Sequence, residues 1–281
     1  MNDLVGTCAE DPIAVGKEMQ PRYLVISLGK SGSNWLNNIL AALPGIDKFD
    51  MGAHKITALV LSELELLTRG SSMYTHVQYS PEFMRDIERL NIRAFYIYRD
   101  IRDSVVSEYF HKAYLDPILK EKWPVLKSVD DKTAFDFSNI MEWSTTSPYY
   151  DDTLLWMKES RIPKVKFEKL VTDPEESVRA LLAFHNMSYT DQEIQAAISA
   201  ASFKAMSGGR EPGEEDRRNH YRKGIVGDWM NYFSFEQHTD LWNHAGAMLT
   251  ELGYGDAPLI WKLRQIRRRL PADPEIRIDY L

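Results

Sequence analysis

The stretch Gly29-Lys30-Ser31-Gly32-Ser33-Asn34-Trp35 holds residue types suited to gripping an anion. Its small residues let backbone N–H groups approach phosphate or sulfate oxygens closely, a helix beginning behind them adds positive partial charge, and Lys30 supplies a full one. Gly and Ser at this spacing also make an ordinary strand-to-helix turn with a cap, and the stretch alone leaves both readings open. It is not a Walker A loop, because no glycine stands upstream at the required spacing, which weakens a standard ATPase reading. A second group, Arg99-Asp100-Ile101-Arg102-Asp103-Ser104-Val105-Val106-Ser107, places an arginine fork at a strand end and a hydroxyl on the helix that follows. Arg99 can bind phosphate oxygens in bidentate fashion and Ser107 can add a hydrogen bond. Equally, Arg99, Arg102, Asp100 and Asp103 can form an ion-pair cluster that needs no ligand.

The elements around these groups share one grammar. Residues 23–28 (YLVISL) read as a short strand buried on both faces, and residues 34–43 follow with helical apolar spacing. Residues 93–98 (RAFYIY) read as a strand that runs into 99–103, and helical spacing resumes over 104–114. A third apolar strand, 164–167, precedes a turn at 172–174 and a helix over 175–184, with Pro174 suited to an early helical position. Strands alternating with helices imply right-handed crossovers and a parallel sheet covered on both faces, with ligands at the carboxyl ends of the strands. That rule puts residues 29–35 and 99–103 at the same rim. With no internal repeat, low-complexity block or long linker, one domain is expected.

Composition sets the outer bounds. The 281 residues are 44% hydrophobic and 27% charged, enough apolar material for a substantial core. Lys and Arg number 34 against 41 Asp and Glu, a formal net charge of -7, so no global positive field is available for nucleic acid and any phosphate site must be local. Cys8 is the only cysteine, which excludes an internal disulfide or a multi-thiolate metal site. Residues 1–20 carry Asp3, Glu10, Asp11 and Glu18 with no continuous apolar run, against a secretory signal. No stretch approaches the about 18 to 20 apolar residues of a membrane span, and a cytoplasmic location is expected. Residues 261–270, with Arg264, Arg267, Arg268 and Arg269, read as a solvated helix face or as a contact for a membrane or an acidic partner.

Further segments carry a resemblance. Arg222-Lys223-Gly224-Ile225-Val226-Gly227-Asp228-Trp229 resembles the Arg-Lys-Gly-x-x-Gly-Asp-Trp signature of the cytosolic-type sulfotransferases. Lys30 to Trp35 is similar to that family's Pro-Lys-Ser-Gly-Thr-Thr-Trp loop, Arg99 to Ser107 to its Arg-x-x-Arg-Asp-x-x-x-Ser segment, and Ser202-Phe203-x-x-Met206 to its Ser-Phe-x-x-Met segment. The matches run in the family's order over residues 21–235. The resemblance implies a single α/β domain over 21–256, with a central parallel β-sheet flanked by helices in a P-loop-like nucleotide-binding sulfotransferase fold. A flexible segment, 1–20, would precede it and a basic helix and tail, 257–281, would follow.

The resemblance also implies 3'-phosphoadenosine 5'-phosphosulfate (PAPS) as co-substrate, its desulfated form PAP as product, a small-molecule acceptor and no metal. Lys30, Ser31, Gly32, Ser33 and Asn34 would hold the phosphosulfate, with Trp35 packed against adenine and Phe203 stacked there. Arg99, Ser107, Arg222, Lys223 and Gly224 would hold the 3'-phosphate. Tyr74-Thr75-His76 resembles the family's Lys-Thr-His, whose histidine is the general base; a neutral imidazole, with a pKa of about 6.5, is available for that role. Lys30 would place charge beside the bridging oxygen as its bond to sulfur breaks, and Ser107 would restrain that lysine until the acceptor arrives.

The departures matter as well. Leu28-Gly29 replaces the usual Tyr-Pro, Ser33 and Asn34 replace two threonines, Tyr74 removes a cation from the reaction centre, and Phe167-Glu168 lacks the hydroxyl of the usual Tyr-Glu. The dimer motif after the signature Trp would fall on Met230, Ser234, Phe235 and Thr239, with both charged positions lost, so dimerisation by that route is not carried over. Asp228 and Trp229 read as a turn or cap and a packed ring. The Gly-, Pro- and charge-rich stretch 207–219 reads as a lid over the nucleotide. Walls for the acceptor are expected from 47–75 and 116–150, with Trp123, Phe135, Phe137, Trp143, Tyr149 and Tyr150 either lining it or packing in the core. His111 is the rival base; a small-metabolite kinase and a non-catalytic nucleotide-binding scaffold are the rival functions.

Overall fold

Strand β1 (Arg22–Ser27) is buried continuously from Tyr23 onward, as a strand covered on both faces must be. It belongs to a computed structural model that describes residues 20–49, 61–115 and 149–267. Residues 1–19 and 268–281, and the acceptor-wall candidates Trp123, Phe135, Phe137 and Trp143, lie outside the described residues.

After β1 come α1 (Ser33–Ala41), β2 (Asp47–Lys48), α2 (Leu61–Leu66), β3 (Ser71–Thr75), α3 (Pro81–Arg89), β4 (Ile92–Tyr98) and α4 (Ile101–Tyr114). Then follow α5 (Tyr149–Lys158), β5 (Lys164–Lys166), α6 (Phe167–Thr172), α7 (Pro174–Phe184), α8 (Asp191–Ala200), α9 (Phe203–Met206), a 3-10 turn (Asp228–Asn231), α10 (Phe235–Glu251) and α11 (Leu259–Arg267). The strands form a five-stranded sheet in the order β2-β3-β1-β4-β5, parallel at every pairing. The chain leaves β1 toward β2 and β3 but leaves β4 toward β5, so the carboxyl ends of β1 and β4 flank the point where the connections part.

The described residues fall into two compact units. One comprises 20–49, 61–99 and 155–209; the other comprises 100–115, 149–154 and 210–267. The first holds the whole sheet. Successive side chains of a strand point to opposite faces, and this splits its core in two. Tyr23, Val25, Phe95 and Ile97 pack with Leu36, Ile39 and Leu40 of α1 and with Leu181 and Leu182 of α7. Leu24, Ile26, Ala94 and Tyr96 pack with Phe83, Met84 and Ile87 of α3 and with Trp156, whose indole stacks on Tyr96 at 5.7 Å.

Local chemistry fixes the helix starts. Ser80 accepts the Phe83 N–H at 3.0 Å with Pro81 in the first turn of α3, Thr190 and Glu193 form a capping box on α8, and Pro174 opens α7. Helix α4 begins at Ile101, three residues before the spacing of apolar residues indicates, because the Asp100 carboxylate accepts the Arg102 N–H at 2.9 Å and caps it there. In the second unit, Trp229 packs with Phe233, His238 and Trp261, the Arg102 guanidinium lies 4.4 Å over the Trp229 ring, and Trp261 Nε1 donates to the Met230 carbonyl at 2.9 Å. Among the described residues, no helix is long and apolar enough to cross a membrane.

Candidate active site

In the first unit, the turn from β1 into α1 is made by left-handed backbone at Lys30 (φ 64°) and at Gly32 (φ 96°), the N-cap of α1. No acidic side chain occupies the first turn of α1, so its N-terminal partial charge is uncompensated there. Ser31 and Ser33 are buried, while Lys30, Asn34 and Trp35 are half-buried. Gly32 is required on two grounds: its φ lies in the left-handed region, and a Cβ there would stand 2.6 Å from Cδ2 of Phe167. The Phe167 ring also meets Trp35 edge-on at 5.7 Å and lies under the Arg99 guanidinium at 4.2 Å. Arg99 Nη1 reaches the Lys30 carbonyl at 3.5 Å. Residues singled out in two separate segments, Gly32 and Trp35 in one and Arg99 in the other, are therefore gathered around one ring. Trp35 Nε1 is buried without a hydrogen-bond partner among the described residues, and so offers a donor beside the loop.

His76 follows β3, next to the end of β1, because the register pairs Thr75 with Ile26. Its Nδ1 lies 3.1 Å from the Ser27 carbonyl and 3.2 Å from the Ser27 hydroxyl. A carbonyl only accepts, so Nδ1 carries the proton and Nε2 is the basic nitrogen of the neutral ring. Tyr74 sits 5.9 Å from the imidazole, between ring centroids, and packs against the core. Phe203 is half-buried on α9, a helix capped by Ser202, which accepts the Ala205 N–H at 3.2 Å.

In the second unit, the Asp100 carboxylate accepts from Arg102 Nε at 2.9 Å and from Nη2 at 2.7 Å, both side chains buried. The ion-pair reading of this segment thus holds for Asp100 and Arg102, while Arg99 lies over Phe167. Asp103 does something else again: it accepts the backbone N–H of Gly227 at 2.8 Å and of Trp229 at 2.9 Å. Ser107 is half-buried on α4, and His111 approaches His220 at 6.0 Å between ring centroids.

Arg222 donates to Asp228 and to Glu215, and Lys223 Nζ donates to Asp228 at 2.7 Å. Arg222 also lies 4.4 Å over Phe110 and reaches the Tyr232 hydroxyl at 3.3 Å, and Gly224 is left-handed at φ 67°. Asp228 is more than a turn residue, since its buried carboxylate ties both cations. Burial pushes the Asp228 carboxyl up, but Arg222 and Lys223 outweigh it and hold it below the usual range. Burial likewise raises Glu215, and the Tyr232 hydroxyl and Arg222 more than reverse it. For Arg222, burial favours the neutral form and the charge of Asp228 overrides it, so the guanidinium is held more firmly protonated. Within 207–219, the Arg210 guanidinium donates to the carbonyls of Glu214 (2.8 Å), Tyr221 (2.5 Å) and Arg222 (2.8 Å), which closes residues 210–222 into a loop.

Ser27, Asp103 and Phe167 were not visible as site residues in the sequence. Ser27 stands three residues before the first left-handed residue, Lys30, Asp103 bonds a turn more than a hundred positions away, and Phe167 draws notice there only for the hydroxyl it lacks. Among the described residues, no cluster of three His, Cys, Asp or Glu side chains is arranged to hold a metal.

The sulfotransferase domain family matches residues 20–253. The chain is 28% identical over 246 residues to flavonol 3-sulfotransferase of Flaveria bidentis, covering 75% of this chain and 76% of that protein. It is 26% identical over 254 residues to cytosolic sulfotransferase 17 of Arabidopsis thaliana, covering 76% and 70%. In structure it is similar to a mouse sulfotransferase complexed with PAP, with a TM-score of 0.59 at 20% identity over 88% of each chain.

Proposed function

The chain belongs to the sulfotransferase domain family, and on that premise we propose that it moves a sulfuryl group from PAPS to a hydroxyl or amine of a small molecule, with His76 as general base. One observation carries this reading: the basic nitrogen of His76 is set by Ser27, at the end of the strand that leads into the Lys30 to Trp35 loop. In-line transfer forms an acceptor–sulfur bond as the bond between sulfur and the bridging oxygen breaks, with PAP leaving. His76 Nε2 takes the acceptor's proton as that bond forms. Lys30 stabilises the charge that develops on the bridging oxygen, and the N–H groups of Ser31 to Asn34 at the start of α1 hold the phosphate end.

Trp35 and Phe203 supply aromatic surface for adenine. Arg99, Ser107, Arg222, Lys223 and Gly224 receive the 3'-phosphate, for which Arg222 and Lys223 exchange their bonds to Asp228 and Glu215. Ser107 restrains Lys30 before the acceptor binds, and residues 207–219 act as the lid. The flavonol 3-sulfotransferase relative supports a flavonol hydroxyl as the first acceptor to try, and the relative named cytosolic supports a cytoplasmic location.

The test is calorimetric titration of PAP, with ATP and adenosine 5'-monophosphate as controls, on wild type and Arg222→Ala. Affinity that needs the 3'-phosphate and falls by at least tenfold in the variant is expected, since a charged hydrogen bond contributes roughly 1.5–3 kcal/mol. His76→Ala should keep PAP affinity and lose turnover by about 100-fold or more. A preference for ATP with Mg²⁺ would replace this reading with a kinase; binding of PAP without turnover across a broad panel of acceptors would replace it with a scaffold.

A further inference from the structure

Helix α11 is built inside out on its solvent side. Trp261 and Gln265, four apart, are buried, while Leu259 (72% exposed), Ile260 (43%), Leu263 (49%) and Ile266 (48%) face outward. At about 3.6 residues per turn, positions 259, 263 and 266 form one stripe opposite the buried pair, with 260 beside it. Lys262 falls on one margin of that stripe and Arg264 on the other. Over 259–269 the sequence carries Lys262, Arg264, Arg267, Arg268 and Arg269 and no carboxylate, in a chain whose net charge is -7. Lys262 donates to Asp256, outside the stripe, and Arg264 is exposed.

We propose that this face of α11 seats the protein on an anionic bilayer surface, lying in the plane of the headgroups with Leu259, Ile260, Leu263 and Ile266 inserted and Lys262 and Arg264 at the phosphates. The charge on the margins selects the occupant. A second copy meeting this stripe through a two-fold axis would bring Arg264 against its own counterpart along one edge and set the Lys262–Asp256 pair against itself along the other, with no new opposite charge gained. A protein partner is less well matched, because the outward face offers aliphatic side chains and no aromatic anchor. A convex aliphatic stripe bordered by cations is the pattern that partitions into a negatively charged interface, by apolar burial and attraction to anionic lipid together. The inference is independent of the donor chemistry, since none of these residues has a part in it.

The experiment is co-sedimentation of the full chain with vesicles of phosphatidylcholine alone and of phosphatidylcholine with phosphatidylserine. Wild type is expected to bind the phosphatidylserine vesicles, less at high salt, and to bind phosphatidylcholine poorly. Leu263→Gln combined with Ile266→Gln should lower partitioning roughly tenfold or more, and Arg264→Glu should weaken binding to phosphatidylserine vesicles alone. The substituted side chains are exposed, so the thermal midpoint and PAP affinity should stay at the wild-type values, which separates this result from unfolding. Absence of vesicle binding, or binding unchanged in both variants, overturns the proposal. So does self-association in light scattering that the Leu263/Ile266 pair abolishes, which would make the stripe a dimer face, or capture by an acidic protein without lipid binding.

Discussion

Replacing Gly32 with Ala tests the packing beneath the anion loop. The backbone at φ 96° is closed to a side chain at low energy, which costs about 1–2 kcal/mol in the left-handed region. The added Cβ would stand 2.6 Å from Cδ2 and 3.0 Å from Cε2 of Phe167, and 3.3 Å from Cδ1 of Ile97. Carbon atoms in contact prefer about 3.5–4.0 Å, so the ring must move by about 1 Å. Phe167 is buried and carries Trp35 on its edge and Arg99 on its face, so the shift costs a further ~1–3 kcal/mol as overpacking. Gly32→Ala should therefore lose roughly 2–5 kcal/mol in urea unfolding, and PAP affinity should fall with it. Phe167→Leu removes Cε2 and replaces the rigid ring edge with a methyl that can rotate away from the new Cβ. In a double-mutant cycle of Gly32→Ala and Phe167→Leu, the overpacking share should return as about 1–2 kcal/mol of favourable coupling, leaving the backbone share unrelieved. Additivity within ~0.5 kcal/mol would refute the steric account and leave φ as the whole cost.

Asp103→Ala leaves the N–H groups of Gly227 and Trp229 without their acceptor. A loss of about 3–5 kcal/mol is expected in denaturant titration, with Asp103→Asn in between because one oxygen remains. Burial and the nearby Arg102 charge hold the His238 pKa at about 4, below the ordinary 6.5. Its stabilising contribution is full above pH 6.5, because only the unfolded ring gains a proton between the two values, and it is lost as pH falls through 4. About 2 kcal/mol should disappear over that window after allowance for screening, and His238→Gln should flatten this part of the stability–pH curve.

The strands that the sequence announces are those with apolar residues at their buried positions: nearly all of β1 and β4, and Val165 followed by Phe167 at β5. β1, β4 and β5 are legible in YLVISL, RAFYIY and the run at 164–167, and the structure places them within one residue of those bounds. β3 is not, because Ser71-Ser72-Met73-Tyr74-Thr75 is polar by composition yet mostly buried, with Ser71 satisfying its hydroxyl against Thr68 at 2.6 Å. A strand of this kind is set by its neighbours in the ladder, and with it goes the placement of His76 beside Ser27. Lys30 to Trp35 and Arg222 to Trp229 stand out because their residue types are unusual at that spacing. The partners that hold them do not, since Phe167 is an ordinary apolar residue and Asp103 looks like one more member of a charged cluster. Their roles depend on approaches across 68 to 135 positions of chain, for which local periodicity has no term.

Asp228 also bears on turnover. On the proposed function, an arginine and a lysine already neutralised by a buried carboxylate would work as an ion exchanger: an incoming phosphate would swap partners with Asp228, and the carboxylate would reclaim both cations when the phosphate departs. Such a clamp binds less tightly than its two charges suggest and varies less with ionic strength, because few free counterions are released on loading. What it would gain, on that reading, is a built-in competitor for the spent nucleotide, one whose local concentration never falls.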